Sequence, residues 1–220
     1  MNPLHVLRDA WYFFSHNLLA IARLCLPLIV LEALLQQQVV AAVAPEARTL
    51  YRILTGLLFY PLYTGALILF LDARSSGQAP ALRNLLAVSL RLWPAFALLA
   101  GLSTLAILLG ASLFVLPGLW LMIKLAFAEY LLVLRGLGPM RALHESFEMT
   151  SGYFWPMLLC VLGVALPLWL LDGWLQEHQG ESADMLLDLA LNSLNGFLQL
   201  FSTVVVFRLF MLRSALPERG

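Results

Sequence analysis

Apolar residues fill six long stretches of the chain, with short polar segments between them. The stretches run from about Leu18 to Val43, Leu50 to Leu71, Trp93 to Val115, Gly118 to Leu134, Tyr153 to Leu175 and Met185 to Leu212. A bilayer core about 30 Å thick takes about 20 apolar residues per helix, so each stretch fits one crossing, the fourth being the shortest. Runs such as LLGASLFVL and LLCVLGVALPLWLL do not alternate apolar and polar positions, as the strands of a membrane barrel would. The pattern predicts an all-α membrane protein with six transmembrane helices.

Three of the connecting segments carry a helical period of their own. In the first, Leu4, Leu7, Trp11 and Phe14 oppose His5, Arg8, Asp9 and Tyr12. In the second, Leu82, Leu85, Leu86 and Leu90 oppose Arg83, Asn84, Ala87 and Arg91, and in the third, Met140, Leu143 and Phe147 oppose Arg141, His144, Glu145 and Glu148. Short two-faced helices of this kind lie in the membrane interface. Each has a proline at its start (Pro3, Pro80, Pro139), where a missing N–H is harmless.

The three segments also align with one another. Pro3, Leu7, Ala10 and Trp11 fall on Pro139, Leu143, Ser146 and Phe147 without a gap, and the middle copy follows through Leu86, Ser89 and Leu90. The chain therefore reads as one membrane domain over 1–220, built as a threefold repeat with units at about 1–75, 76–137 and 138–220. Each unit holds an interfacial helix, a crossing, an outer turn and a second crossing. Transporters commonly contain internal repeats, but these copies share one orientation, so the inverted arrangement of alternating-access folds is not expected.

Composition agrees with the pattern. Hydrophobic residues make up 61% of the chain and charged residues 12%, against roughly 45–50% and about 25% in soluble domains. Mean hydropathy is +0.86. Thirteen basic residues balance thirteen acidic ones, which speaks against a nucleic-acid partner with a large basic face. The two cysteines, Cys25 and Cys160, sit in apolar runs and read as small buried residues. The N-terminal segment is amphipathic and lacks the basic region, short apolar core and cleavage site of a secretory signal.

Charge becomes informative once it is sorted by side. With six crossings, Arg8, Arg74, Arg83, Arg91, Arg135, Arg141, Arg213 and Arg219 share the side of the termini, and only Arg48 and Arg52 lie opposite. The final outer loop adds Glu177, Glu181 and Asp184 with no basic residue. The positive-inside rule then puts both termini in the cytoplasm.

The stretch LPGLWLMIKLAFAEYLLVLRGLGPMRALHESFEMTSGYFWPML resembles the core motif of a group of bacterial membrane domains. That group includes the YciC-like inner-membrane proteins and the membrane domain attached to some glycerophosphodiester phosphodiesterases. The likeness rests on the outer Leu116-Pro117-Gly118 turn, the Gly138-to-Phe147 helix with Ala142, Leu143 and Ser146, and the restart at Trp155-Pro156. The closing VVVFRLFMLR (Val204 to Arg213) looks like the end of the YciC-like proteins. Arg135 departs from the acidic residue that related sequences carry. The resemblance implies a six-helix protein of the bacterial inner membrane and implies no phosphodiesterase chemistry, which belongs to a separate soluble domain.

Ionisable groups within a crossing are functional candidates by default. Glu32 lies about 15 Å from the outer end of the first helix, and Lys124 and Glu129 about 9 and about 16 Å into the fourth. On the sixth helix, Asp188, Asn192, Asn195, Gln199 and Ser202 repeat at four-three-four-three spacing. This makes a polar seam expected to face the bundle interior. Glu32, Lys124, Glu129, Asn192, Asn195 and Gln199 are thus expected to meet in one intramembrane polar cluster. One reading makes them structural hydrogen-bonding and ion-pairing groups; the other makes them a pathway for a solute, a proton or a lipid headgroup.

No catalytic constellation stands out. There is no His-Glu-x-x-His, paired Cys-x-x-Cys, Gly-rich phosphate loop or Gly-x-Ser-x-Gly. His144-Glu145 reads as a solvated face, His178 as a soluble loop residue, and Arg23 and Arg208 as snorkelling side chains. Tryptophans and tyrosines read as an interfacial belt. Pro27, Pro61 and Pro167 should kink their helices. The expectation is a non-enzymatic protein without metal or cofactor that organises membrane lipids or a membrane-protein partner. The alternative is a small transporter or lipid-handling protein that uses the polar cluster.

Overall fold

The computed structural model describes residues 3–177 and 185–215. All regular structure among them is helical: α1 (Pro3–His16), α2 (Leu18–Ala42), α3 (Pro45–Ser75), α4 (Leu82–Leu113), α5 (Val115–Leu125), α6 (Ala128–Arg135), α7 (Pro139–Met149), α8 (Phe154–Glu177) and α9 (Met185–Ser214). Six stretches are long and apolar enough to cross a membrane, the fourth formed jointly by α5 and α6. The acidic loop with His178, Glu181 and Asp184, and Arg219 near the C-terminus, lie outside the described residues.

The interfacial segments do not all become separate helices. α1 ends at Asn17, whose side-chain amide donates to the Phe13 carbonyl at 3.0 Å. α7 ends at Thr150, whose hydroxyl donates to the Ser146 carbonyl at 3.0 Å. The middle segment instead runs straight into its crossing as the first part of α4. It has no turn residue between Arg91 and Trp93 to stop it, and Pro94 is accommodated inside the helix.

The fourth crossing differs from expectation at its outer end and in its middle. Its outer turn falls at Phe114 (φ −161, ψ 156), so Leu116-Pro117-Gly118 forms the first turn of α5. A Cβ on Gly118 would lie 2.8 Å from the Ala111 Cβ, and only glycine permits that close crossing of α4. Further along, the helix breaks at Ala126–Phe127 and restarts as α6. Gly136, with φ +64, then ends α6 in the left-handed conformation that glycine adopts without strain.

Burial against neighbouring helices gains little hydrophobic free energy in a bilayer, because lipid tails are equally apolar; tight packing and hydrogen bonds hold such bundles together. Here the fully buried set includes Phe14, Phe96, Phe127 and Tyr130. α1 lies against α8 and α9, α7 against α4, α5 and α6, and α4 against α3. On α1 the side facing the bundle is Val6, Ala10 and Phe14, whereas Leu4 and Trp11 remain exposed. Its apolar residues thus divide between protein and surroundings.

Serines secure the irregular helices. Ser146 of α7, with no exposed surface, donates to the Lys124 carbonyl at 2.8 Å and accepts the Phe127 N–H at 3.1 Å. One hydroxyl therefore satisfies a backbone group on each side of the α5–α6 break. Ser89 of α4 donates to the Leu62 carbonyl at 2.7 Å and approaches that of Pro61 at 3.2 Å. The Trp93 indole donates to the Leu58 carbonyl at 2.8 Å, three residues before Pro61.

Candidate functional site

The break between α5 and α6 separates the two charged residues of this crossing. Glu129 stands in the first turn of α6, where the helix dipole favours a carboxylate. It faces an intramembrane cavity of about 460 Å³ to which all six crossings contribute. Glu32 of α2 lines the same cavity. Two of the expected residues are therefore brought together.

Each carboxylate has a tyrosine of α3 beside it. The Tyr60 hydroxyl donates to Glu129 Oε1 at 2.8 Å and reaches Oε2 at 3.0 Å. Tyr63 lies beside Glu32, which accepts from the Gln36 side-chain amide one turn on, at 3.1 Å. The two phenol rings meet edge to face, with centroids 5.8 Å apart. A third phenol, Tyr130, donates to the Thr203 carbonyl of α9 at 2.8 Å. Ser103, Thr104, Ser202 and Thr203 add small polar groups to an otherwise apolar wall.

The sequence pattern points to neither Tyr60 nor Tyr63, because tyrosines read first as interfacial anchors. The overlooked signal is depth. Both lie near the middle of α3, far from either interface, and a phenol placed there needs a partner.

Lys124 does not join the cluster. Its side chain, 8% exposed, turns to the α7–α8 corner and donates to Ser151 Oγ at 2.8 Å and to the Phe147 carbonyl at 3.3 Å. The ammonium also lies 4.8 Å from the Phe147 ring centroid. Arg213 reaches the same helix end through the Met149 carbonyl at 3.0 Å. Two cations thus meet the negative end of the α7 dipole.

The α9 seam is likewise divided. Asn192 donates to the Asp188 carbonyl of its own helix at 2.7 Å. Asn195, 3% exposed, donates to Asp172 Oδ1 of α8 at 2.8 Å. Gln199 is exposed on the outside of the bundle, and only Ser202 reaches the cavity. At about 100° per residue the seam fans over roughly 80° of helix. The edge of the packed surface passes through that fan, leaving Gln199 outside and Asn195 inside.

Each crossing is apolar, and the half-buried Glu32 and Glu129 line a mostly apolar cavity between the crossings: this is a multi-pass membrane protein with two carboxylates set among its helices. Compared with known proteins, the chain matches no family model, no curated protein and no solved structure.

Proposed function

We propose that this protein is a small transporter or lipid-handling protein of the bacterial inner membrane, working through the Glu32–Glu129 cavity. The observation that carries the reading is that two carboxylates line a space with no cationic residue in its wall, since Lys124 is engaged elsewhere. Carboxylates without a countercharge are expensive in a low-dielectric setting. The fitting occupant is a small cation, a proton included. The Tyr60 hydroxyl positions Glu129, and the phenol faces offer cation–π contacts.

The orientation with both termini cytoplasmic, the YciC-like relationship and the threefold repeat belong to this proposal. The aligned positions Ala10, Ser89 and Ser146 support the repeat, since all three are buried and two of them hydrogen-bond the preceding crossing. A second reading, in which the protein organises lipid or a membrane partner without catalysis, is favoured by Met140 on α7 and by the exposed part of Trp11 on α1, whose ring also packs edge to face on Phe201 of α9.

Proteoliposomes loaded with a pH-sensitive dye, and separately with a fluorescent organic monocation, test the first reading. The wild type should pass at least one of them, and Glu129→Gln should slow it at least about tenfold, the loss of about 1.4 kcal/mol of stabilisation. Rates equal to those of empty vesicles for both probes would overturn it.

A further inference from the structure

A second cavity of about 330 Å³ lies at the end of the bundle that carries α1, among His16, Asn17, Arg23, Arg74 and the α3–α4 connection. Its wall contains two guanidinium groups and an imidazole, and no carboxylate. The acidic partners found among the described residues serve other cations: Glu145 pairs with Arg135, Glu148 lies beside His144, and Asp9 pairs with Arg208 at 3.1 Å. No carboxylate lines the notch, so Arg23 and Arg74 gather positive charge there; Asp9, which borders an adjoining pocket with Arg74, is paired with Arg208.

The site is also preorganised. The Arg74 Nε donates to Asn17 Oδ1 at 3.2 Å, and its guanidinium lies 5.9 Å from the Phe70 ring centroid. Asn17 is itself anchored by its bond to Phe13. With Nε engaged, both terminal nitrogens of Arg74 remain for the two-pronged contact that guanidinium makes with phosphate oxygens. Arg23 stands five residues beyond the first residue of α2, about 7 Å into the crossing, at a depth suited to snorkelling toward headgroups.

We propose that this notch binds the phosphate of a membrane phospholipid. Leu19, Phe70 and Leu82 form its apolar wall, and Leu19 is exposed, so acyl chains can continue along α2 from the headgroup. An isolated phosphate ion would share the arginine chemistry but leave this wall unused. The site is separate from the carboxylate cavity, with which it shares no lining residue, and its charge is the opposite.

Native mass spectrometry of the full protein tests the assignment, after delipidation and exposure to phosphatidylglycerol or to diacylglycerol of the same chain lengths. The wild type should retain phosphatidylglycerol at least about fivefold better than diacylglycerol. The double variant Arg23→Gln/Arg74→Gln should lose that preference, Arg23→Lys/Arg74→Lys should recover part of it, and Arg135→Gln should keep it. Equal retention of the two lipids by the wild type would overturn the proposal, as would an unchanged preference in a folded Gln variant. Displacement of the phospholipid by millimolar inorganic phosphate would reassign the notch to the free ion and overturn the lipid assignment. Failure here leaves the transport reading intact, because the flux assay reads the other cavity.

Discussion

Lys124 and Glu129 are five residues apart in one crossing, yet they occupy opposite kinds of environment. Around Lys124, Ser151, the Phe147 carbonyl and the Phe147 ring fill the first contacts, and the charge completes the end of α7. Around Glu129 a tyrosine holds the carboxylate while open space remains in front of it. The first arrangement is closed and structural. The second leaves space in front of the carboxylate, where the proposed cation would bind. A buried charge is therefore not a sign of function by itself; what distinguishes the two is whether the protein already supplies all of the partners.

The hinge of this contrast is Ser146, and removing it should have the largest effect. Ser146→Ala strands the Phe127 N–H and the Lys124 carbonyl where no water can replace the hydroxyl. At about 1–3 kcal/mol per unsatisfied buried group, the expected loss for the two groups is about 2–6 kcal/mol, read as a lowered unfolding midpoint in detergent. A change below about 0.5 kcal/mol would mean that the α5–α6 break does not depend on this bond.

Lys124→Met and Glu129→Gln, compared directly, sharpen the contrast. The lysine variant should lose about 1–2 kcal/mol of stability, as expected for a cation removed from a helix C-terminus, while keeping flux close to wild type. The glutamate variant should do the reverse, with near-unchanged stability and slowed flux. If both variants lose flux equally, the division into a structural corner and a working cavity fails.

Tyr60→Phe should give the smallest effect. It removes the hydroxyl from Glu129 but leaves the carboxylate and the ring. A hydrogen bond to a charged group contributes about 1.5–3 kcal/mol at most, and water in the cavity can replace part of it. Flux is therefore expected to fall about threefold to tenfold, less than in Glu129→Gln. A larger fall than in Glu129→Gln would make the phenol the primary group.

Much of the bundle was legible in the chain because bilayer physics acts on contiguous residues. The need for about 20 apolar residues per crossing marks Leu18 to Val43 as one helix without any knowledge of its neighbours. The ends of α1 and α7 have an equally local cause, since Asn17 and Thr150 hydrogen-bond carbonyls one turn back. Continuity was not legible. Arg91 and Trp93 look like a boundary because polarity changes there, but the backbone of α4 has no reason to stop.

The site was legible only in part. Glu32 and Glu129 stand out because a carboxylate in an apolar run is costly wherever it points. Which groups relieve that cost depends on residues far away in the chain, such as Tyr60, which lies 69 positions before Glu129. Helical spacing joined Asn195 and Gln199 into one seam, yet a margin of about 40° around α9 puts one inside the bundle and the other outside.

The sequence by itself thus determined the number of crossings, the uneven distribution of arginines along the chain and the presence of charges within the apolar runs, because each follows from local polarity. Only the tertiary structure decided that α5 and α6 part at Ala126–Phe127, that Ser146 joins across the gap, and that the break sends Lys124 into a packed corner while Glu129 meets Glu32 across a cavity. The physical reason is that a hydrogen bond or a vacancy is a property of two surfaces, and the second surface comes from a distant part of the chain.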